Sequence, residues 1–290
     1  MRGRSGIVVL PSHVHDLLVQ SRYEIHLLVL PQDEETLRPH GAHAQTVIAF
    51  EKNDMIGIFD NDIKDILGLL DGASSKRFPF DEKDVLPTQE RSDLVLMRDS
   101  AYELGGSNLD SLGMALVTDD VALKSETILV GKELKDIKAD CNYAKIVLIS
   151  LKQSPDEEQK IFDLIKSLEY AKYKDNVKGF MMRASALTKR EQVRVSKQAL
   201  KDGLSFQKLG NTIIASYLTR SVVSAVTVIF IADAPVDFAP IYAISDRSSE
   251  VLDALNHILD NVLVDCVHCN LKEICDKVEG MRELHLKRAK

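Results

Sequence analysis

Val222-Val223-Ser224-Ala225-Val226-Thr227-Val228-Ile229-Phe230-Ile231-Ala232 is a nearly unbroken run of β-branched and apolar residues. A strand with one wet face alternates apolar and polar residues; this run does not, which predicts a buried strand. Upstream, Thr127-Ile128-Leu129-Val130-Gly131 and Lys145-Ile146-Val147-Leu148-Ile149-Ser150 read as further strands. The segments between them carry helical spacing. Ser154-Pro155-Asp156-Glu157-Glu158 opens a helix with an N-cap serine, proline at the first position and acids facing the dipole. Ile161, Phe162, Ile165 and Leu168 then form its apolar stripe. Glu191 to Asp202 runs to Gly203, which reads as a helix end, and a helix restarts at Ser205 with Ile213, Ile214, Tyr217 and Leu218 inward. The alternation of strand and helix predicts an α/β to α+β class, with mixed sheets covered by helices.

This central unit is expected over residues 93–234. Residues 1–92 read as a small α/β unit, with strands at 7–10, 25–30, 46–50 and Met55–Phe59 and a helix over Asp62–Leu70. Ala73 to Ser92, with Pro79, Pro87 and many charges, reads as a linker. His13, His15, His40 and His43 lie in this unit without a carboxylate at recognised spacing, and surface loops are the preferred reading. Residues 235–290 read as a helical tail, with an amphipathic helix over Glu250–Leu259 and another from Asp276.

Between those helices the chain concentrates its thiols. Cys266, Cys269 and Cys275 make a C-x2-C-x5-C pattern, and the fourth cysteine is Cys141. Clustered thiols without a secretory leader favour a metal over disulfides. Ile7 to Leu10 is too short for a signal-peptide core, and the apolar runs are too short or too interrupted to span a bilayer. A cytoplasmic location without membrane insertion is therefore expected. Thiolate ligation suits an iron–sulfur cluster or zinc, and three reduced cysteines packing the helical tail are the plainer alternative. Cys141, His268 and His285 are available as a fourth ligand, as is a partner chain.

The net charge of -7 argues against general nucleic-acid binding. Yet Lys178 to Lys208 holds eight basic residues against Glu191 and Asp202. Arg183, Arg190, Arg194 and Lys197 are the candidate cofactor-binding residues, since guanidinium forks and ammonium groups are what phosphates need. Coenzyme A would suit them; a solvated helix face is the plainer alternative. No glycine-rich phosphate loop accompanies them.

Two stretches resemble acetyl-CoA synthase, the β subunit of the carbon monoxide dehydrogenase/acetyl-CoA synthase complex. Tyr102-Glu103-Leu104-Gly105-Gly106 through Ile128-Leu129-Val130-Gly131 is similar to the segment opening that family's central domain. Gly179-Phe180, Val193-Arg194-Val195-Ser196-Lys197 and Gly203-Leu204-Ser205-Phe206-Gln207-Lys208-Leu209-Gly210 follow in the family's order, and Val226-Thr227-Val228-Ile229-Phe230 matches its next strand. The likeness covers roughly residues 95–232.

The resemblance implies an α+β domain associated with coenzyme A, with Arg194 and Lys197 contributing charge. It also implies a 4Fe-4S site after the following helix and docking to a corrinoid or carbon monoxide dehydrogenase-type partner. The family's tryptophan position is Gln192 here, and the chain has no tryptophan. The family's Cys-Gly-Cys tripeptide, which holds a nickel ion, is absent from the sequence, so a complete nickel centre is not expected. Catalysis is left open, and so is the oligomeric state. A non-catalytic interaction module stapled by zinc or iron–sulfur is the competing expectation.

Overall fold

The computed structural model describes residues 57–259 except 72, 120, 153–157 and 186–188. Two five-stranded sheets with helices form one α/β core. The larger sheet has the order β1-β5-β10-β6-β4, from strands Ser75–Pro79 (β1), Ser111–Thr118 (β4), Glu126–Gly131 (β5), Tyr143–Leu151 (β6) and Val223–Ala232 (β10). The smaller has the order β2-β7-β8-β9-β3, from Thr88–Gln89 (β2), Ser100–Leu104 (β3), Asn176–Val177 (β7), Phe180–Ala184 (β8) and Glu191–Ser196 (β9).

β10 occupies the middle of the larger sheet, parallel to β5 and antiparallel to β6. Its apolar run thus finds neighbours on both edges and both faces. β6 in turn pairs parallel with β4, which is buried along its whole length. The smaller sheet is antiparallel throughout.

By the two-residue period of a strand, Tyr143, Lys145, Val147 and Ile149 share one face of β6. Helix Phe206–Leu218 (α4), capped by Ser205, lies on that face across β5 and β10. The Phe206 ring stacks against Tyr143 at 6.5 Å and approaches Phe230 at 4.7 Å between centroids. Gly210 permits this approach: a Cβ there would fall 1.9 Å from Thr127 Oγ1. Helix Glu158–Ala171 (α2) runs along β4, and Tyr217 of α4 donates to its Leu168 carbonyl at 2.9 Å. Its expected stripe of Ile161, Phe162, Ile165 and Leu168 is buried.

The opposite face of β4 receives helix Asp60–Asp71 (α1), through Thr118 Oγ1 donating to Asp60 Oδ1 at 2.6 Å. Helix Ala239–Leu259 (α5) also reaches β4, and its Arg247 pairs with the buried Asp62 of α1. The smaller sheet meets the larger through β9, whose Glu191, Val193 and Val195 are buried while Gln192, Arg194 and Ser196 look outward.

Four local expectations change. The strand expected over Met55–Phe59 is a turn entering α1 in its described part, because Phe59, Ile63, Ile66 and Leu70 continue a helical stripe. The linker expected over Ala73–Ser92 supplies β1 and β2; charges are tolerated there because β1 is an edge strand, and Pro79 closes it. Glu191–Asp202 is strand β9 followed by the short helix Lys197–Lys201 (α3), with Ser196 as N-cap. The tail helix starts at Ala239, with Pro240 in its first turn. The histidines at 13, 15, 40 and 43 and all tail cysteines lie outside the described residues.

Candidate functional site

β5 ends at Gly131 and β10 at Ala232 on the same rim of the larger sheet, where β4 and β6 begin. Carboxyl ends of parallel strands are where open α/β sheets leave room for ligands. A cleft of about 580 Å³ opens here, lined among others by Asp110, Asp140, Cys141, Arg190, Asp233 and Tyr242. Asp233 adopts the left-handed region at φ 48°, and its carboxylate pairs with Lys132 at 2.6 Å. Asn142 beside it fixes the turn, exchanging hydrogen bonds with the Ala234 N–H and carbonyl at 3.1 and 2.8 Å. Asp140 accepts from the Glu103 N–H at 2.7 Å, and Tyr242 Oη accepts from the Ser111 N–H at 2.9 Å.

Cys141 is the one cysteine among the described residues and only 6 % exposed. Burial first, and then the nearby Asp233 carboxylate, push its thiol up to about 11. It is therefore a protonated thiol at neutral pH rather than a nucleophile.

The candidate basic residues do not converge. Arg183 and Arg194 meet on Glu103, on the outer face of the smaller sheet. That strip keeps a net charge of +1 from two guanidiniums and one carboxylate. Arg190 instead turns to the rim cleft, where its guanidinium donates to the carbonyls of Gly106, Ser107 and Leu109. Lys197 donates to the Arg98 carbonyl at 3.1 Å on the exposed surface. Arg183 and Arg194 thus stand together, while Arg190 is committed elsewhere.

Sequence reasoning missed a buried ionic cluster between the sheets. Lys145 on β6 places Nζ 2.9 Å from Glu191 Oε1 on β9, both nearly inaccessible to solvent. The contact is a buried ion pair. Lys145 also donates to the Lys172 carbonyl at 3.1 Å and to Met182 Sδ at 3.3 Å. Lys172 Nζ donates to the Gly113 carbonyl at 3.1 Å and Glu169 Oε1 at 2.5 Å. A Cβ at Gly113 would fall 2.3 Å from Glu191 Oε2, so glycine is what lets β9 close on β4. Desolvation raises the Glu191 carboxyl and lowers the Lys172 ammonium from their ordinary values. The signal in the sequence was a lysine set among apolar residues of a buried run, Tyr143-Ala144-Lys145-Ile146-Val147.

Among the described residues, no three His, Cys, Asp or Glu side chains are placed to hold a metal ion. Cys266, Cys269 and Cys275 fall beyond those residues; as a donor set, three thiols suit iron–sulfur or zinc. No helix among the described residues is long and apolar enough to cross a membrane. No protein-family model matches the chain, and no curated protein sequence matches it.

Proposed function

We propose that the chain is an acetyl-CoA-synthase-like protein of the β-subunit type. In this reading an α+β scaffold binds coenzyme A and carries a 4Fe-4S cluster on Cys266, Cys269 and Cys275, without a complete nickel centre. One observation carries the reading. The segments that resemble the family occupy β3, β5, β8, β9, α3, α4 and β10 in the family's order, and their buried residues belong to one hydrophobic core.

When bound, such a cluster supplies one-electron transfer. The chain's own residues supply the rest. On the outer side of the smaller sheet Arg183 is half exposed and Arg194 largely covered, with Lys197 next along the chain from β9. Glu103 holds both guanidiniums in place, and an incoming phosphate would compete with it for them. The partner in this reading is a corrinoid or carbon monoxide dehydrogenase-type protein that exchanges electrons or acyl groups with it.

Calorimetry with coenzyme A tests the cofactor claim. Binding to the wild type that weakens about tenfold in Arg194→Ala is the expected result, the order of one charge-assisted contact. No binding to the wild type, or binding indifferent to Arg194→Ala, would remove coenzyme A from the account.

A further inference from the structure

We infer that the buried Lys145–Glu191 pair is a latch that holds one wall of the rim cleft in place through Arg190 and the 105–110 loop. Glu191 is the first residue of β9, and its side chain is turned inward to Lys145 of β6 at 2.9 Å. Its backbone is clasped to the first residue of β4. Ser111 Oγ donates to the Glu191 carbonyl at 2.6 Å and accepts from its N–H at 3.1 Å. One residue earlier, the Arg190 guanidinium donates to the carbonyls of Gly106, Leu109 and Ser107 at 2.9, 2.8 and 3.2 Å. Three carbonyls of one loop on one side chain make the loop follow Arg190. Ser107 and Leu109 form a wall of the cleft, with Cys141 and Tyr242 also lining it.

Other charged groups also face the pair: the buried Asp175 carboxyl interacts electrostatically with Lys145, and Lys172 with Glu191. Lys172 belongs to Glu169 and the Gly113 carbonyl, and Lys189 stands 3.9 Å from Glu169. Tyr143 on β6, Lys172 and Tyr217 are further titratable neighbours of Glu191. Lys145 is the cation in direct contact with Glu191.

A buried pair of this kind has two regimes. Paired, the seam between β9 and β6 stays dry and β9 keeps its place. With one charge removed, the other loses its direct partner in a low-dielectric seam and is relieved by admitting water. Replacing both charges by apolar groups removes the demand altogether. The wall should therefore loosen in each single variant and tighten again in the double one.

Cys141 reports the wall directly, and peptide mass spectrometry separates it from the other cysteines. Alkylation by iodoacetamide would be followed in the full chain for Glu191→Leu, Lys145→Met, the double variant and Arg190→Gln. Each single core variant should label Cys141 about tenfold faster than wild type, and the double variant within about threefold of it. Arg190→Gln cuts the link outside the core, so it should give faster labelling with a smaller fall in the unfolding midpoint than the single core variants. It decides the matter if a core variant does not fold. Wild-type labelling in Arg190→Gln, or a folded double variant as open as the singles, would overturn the latch.

Discussion

Cys141 joins burial, charge and position in one side chain. Its thiol ionises near 11 in the fold against 9.0 for an unperturbed thiol. Alkylation of the native protein should therefore keep rising with pH toward about 11; a plateau at the ordinary value would contradict the buried assignment. The sign for stability follows by linkage. The unfolded thiol releases its proton first, so the stability this group contributes is complete below 9.0 and is lost as pH rises toward 11. Gly210 makes a packing claim of the same local kind. Gly210→Ala drives a methyl into Thr127, and despite alanine's better helix propensity it should cost about 1–3 kcal/mol in denaturant unfolding. A stabilised variant would mean that α4 does not press on β5 as described.

At the level of elements, β5, β6 and β10 were legible because strands buried on both faces leave long apolar runs. β4 was not. Gly113 and the small residues around it break the run, although every position is buried; the reason is the close approach of Glu191, which belongs to a distant part of the sequence. β9 alternates Glu191, Val193 and Val195 inward, a period-2 pattern hidden by its charges and by the helix that follows directly. The site was legible only in part for a related reason. Composition reveals a basic segment, but pairing decides which cations are free. Glu103 collects Arg183 and Arg194 across strands, and the loop carbonyls take Arg190. The docking of α5 on α1 gives this level its own test. Asp62 is buried and its partner Arg247 is half exposed, so solvent screens the pair. Arg247→Ala leaves the carboxylate without its guanidinium and should cost about 1–2 kcal/mol, read from the thermal midpoint. No change would mean that α5 is held by its apolar face alone.

For the whole molecule, the two sheets form a scaffold that presents a cleft and a basic strip at separate places. The rim cleft sits where β5 and β10 end, and the cationic strip lies on the outer face of the smaller sheet. α5 ends at Leu259, and the thiols at 266, 269 and 275 follow in the sequence. The proposed function depends on what those thiols bind. The most direct measurement is metal and sulfide analysis of the full-length protein purified without oxygen, alongside Cys266→Ala. About four iron atoms and four sulfides per chain, with the absorbance of a cluster that Cys266→Ala abolishes, are expected for a 4Fe-4S centre. A colourless protein holding one zinc per chain would contradict the redox reading and leave a stapled interaction module in its place.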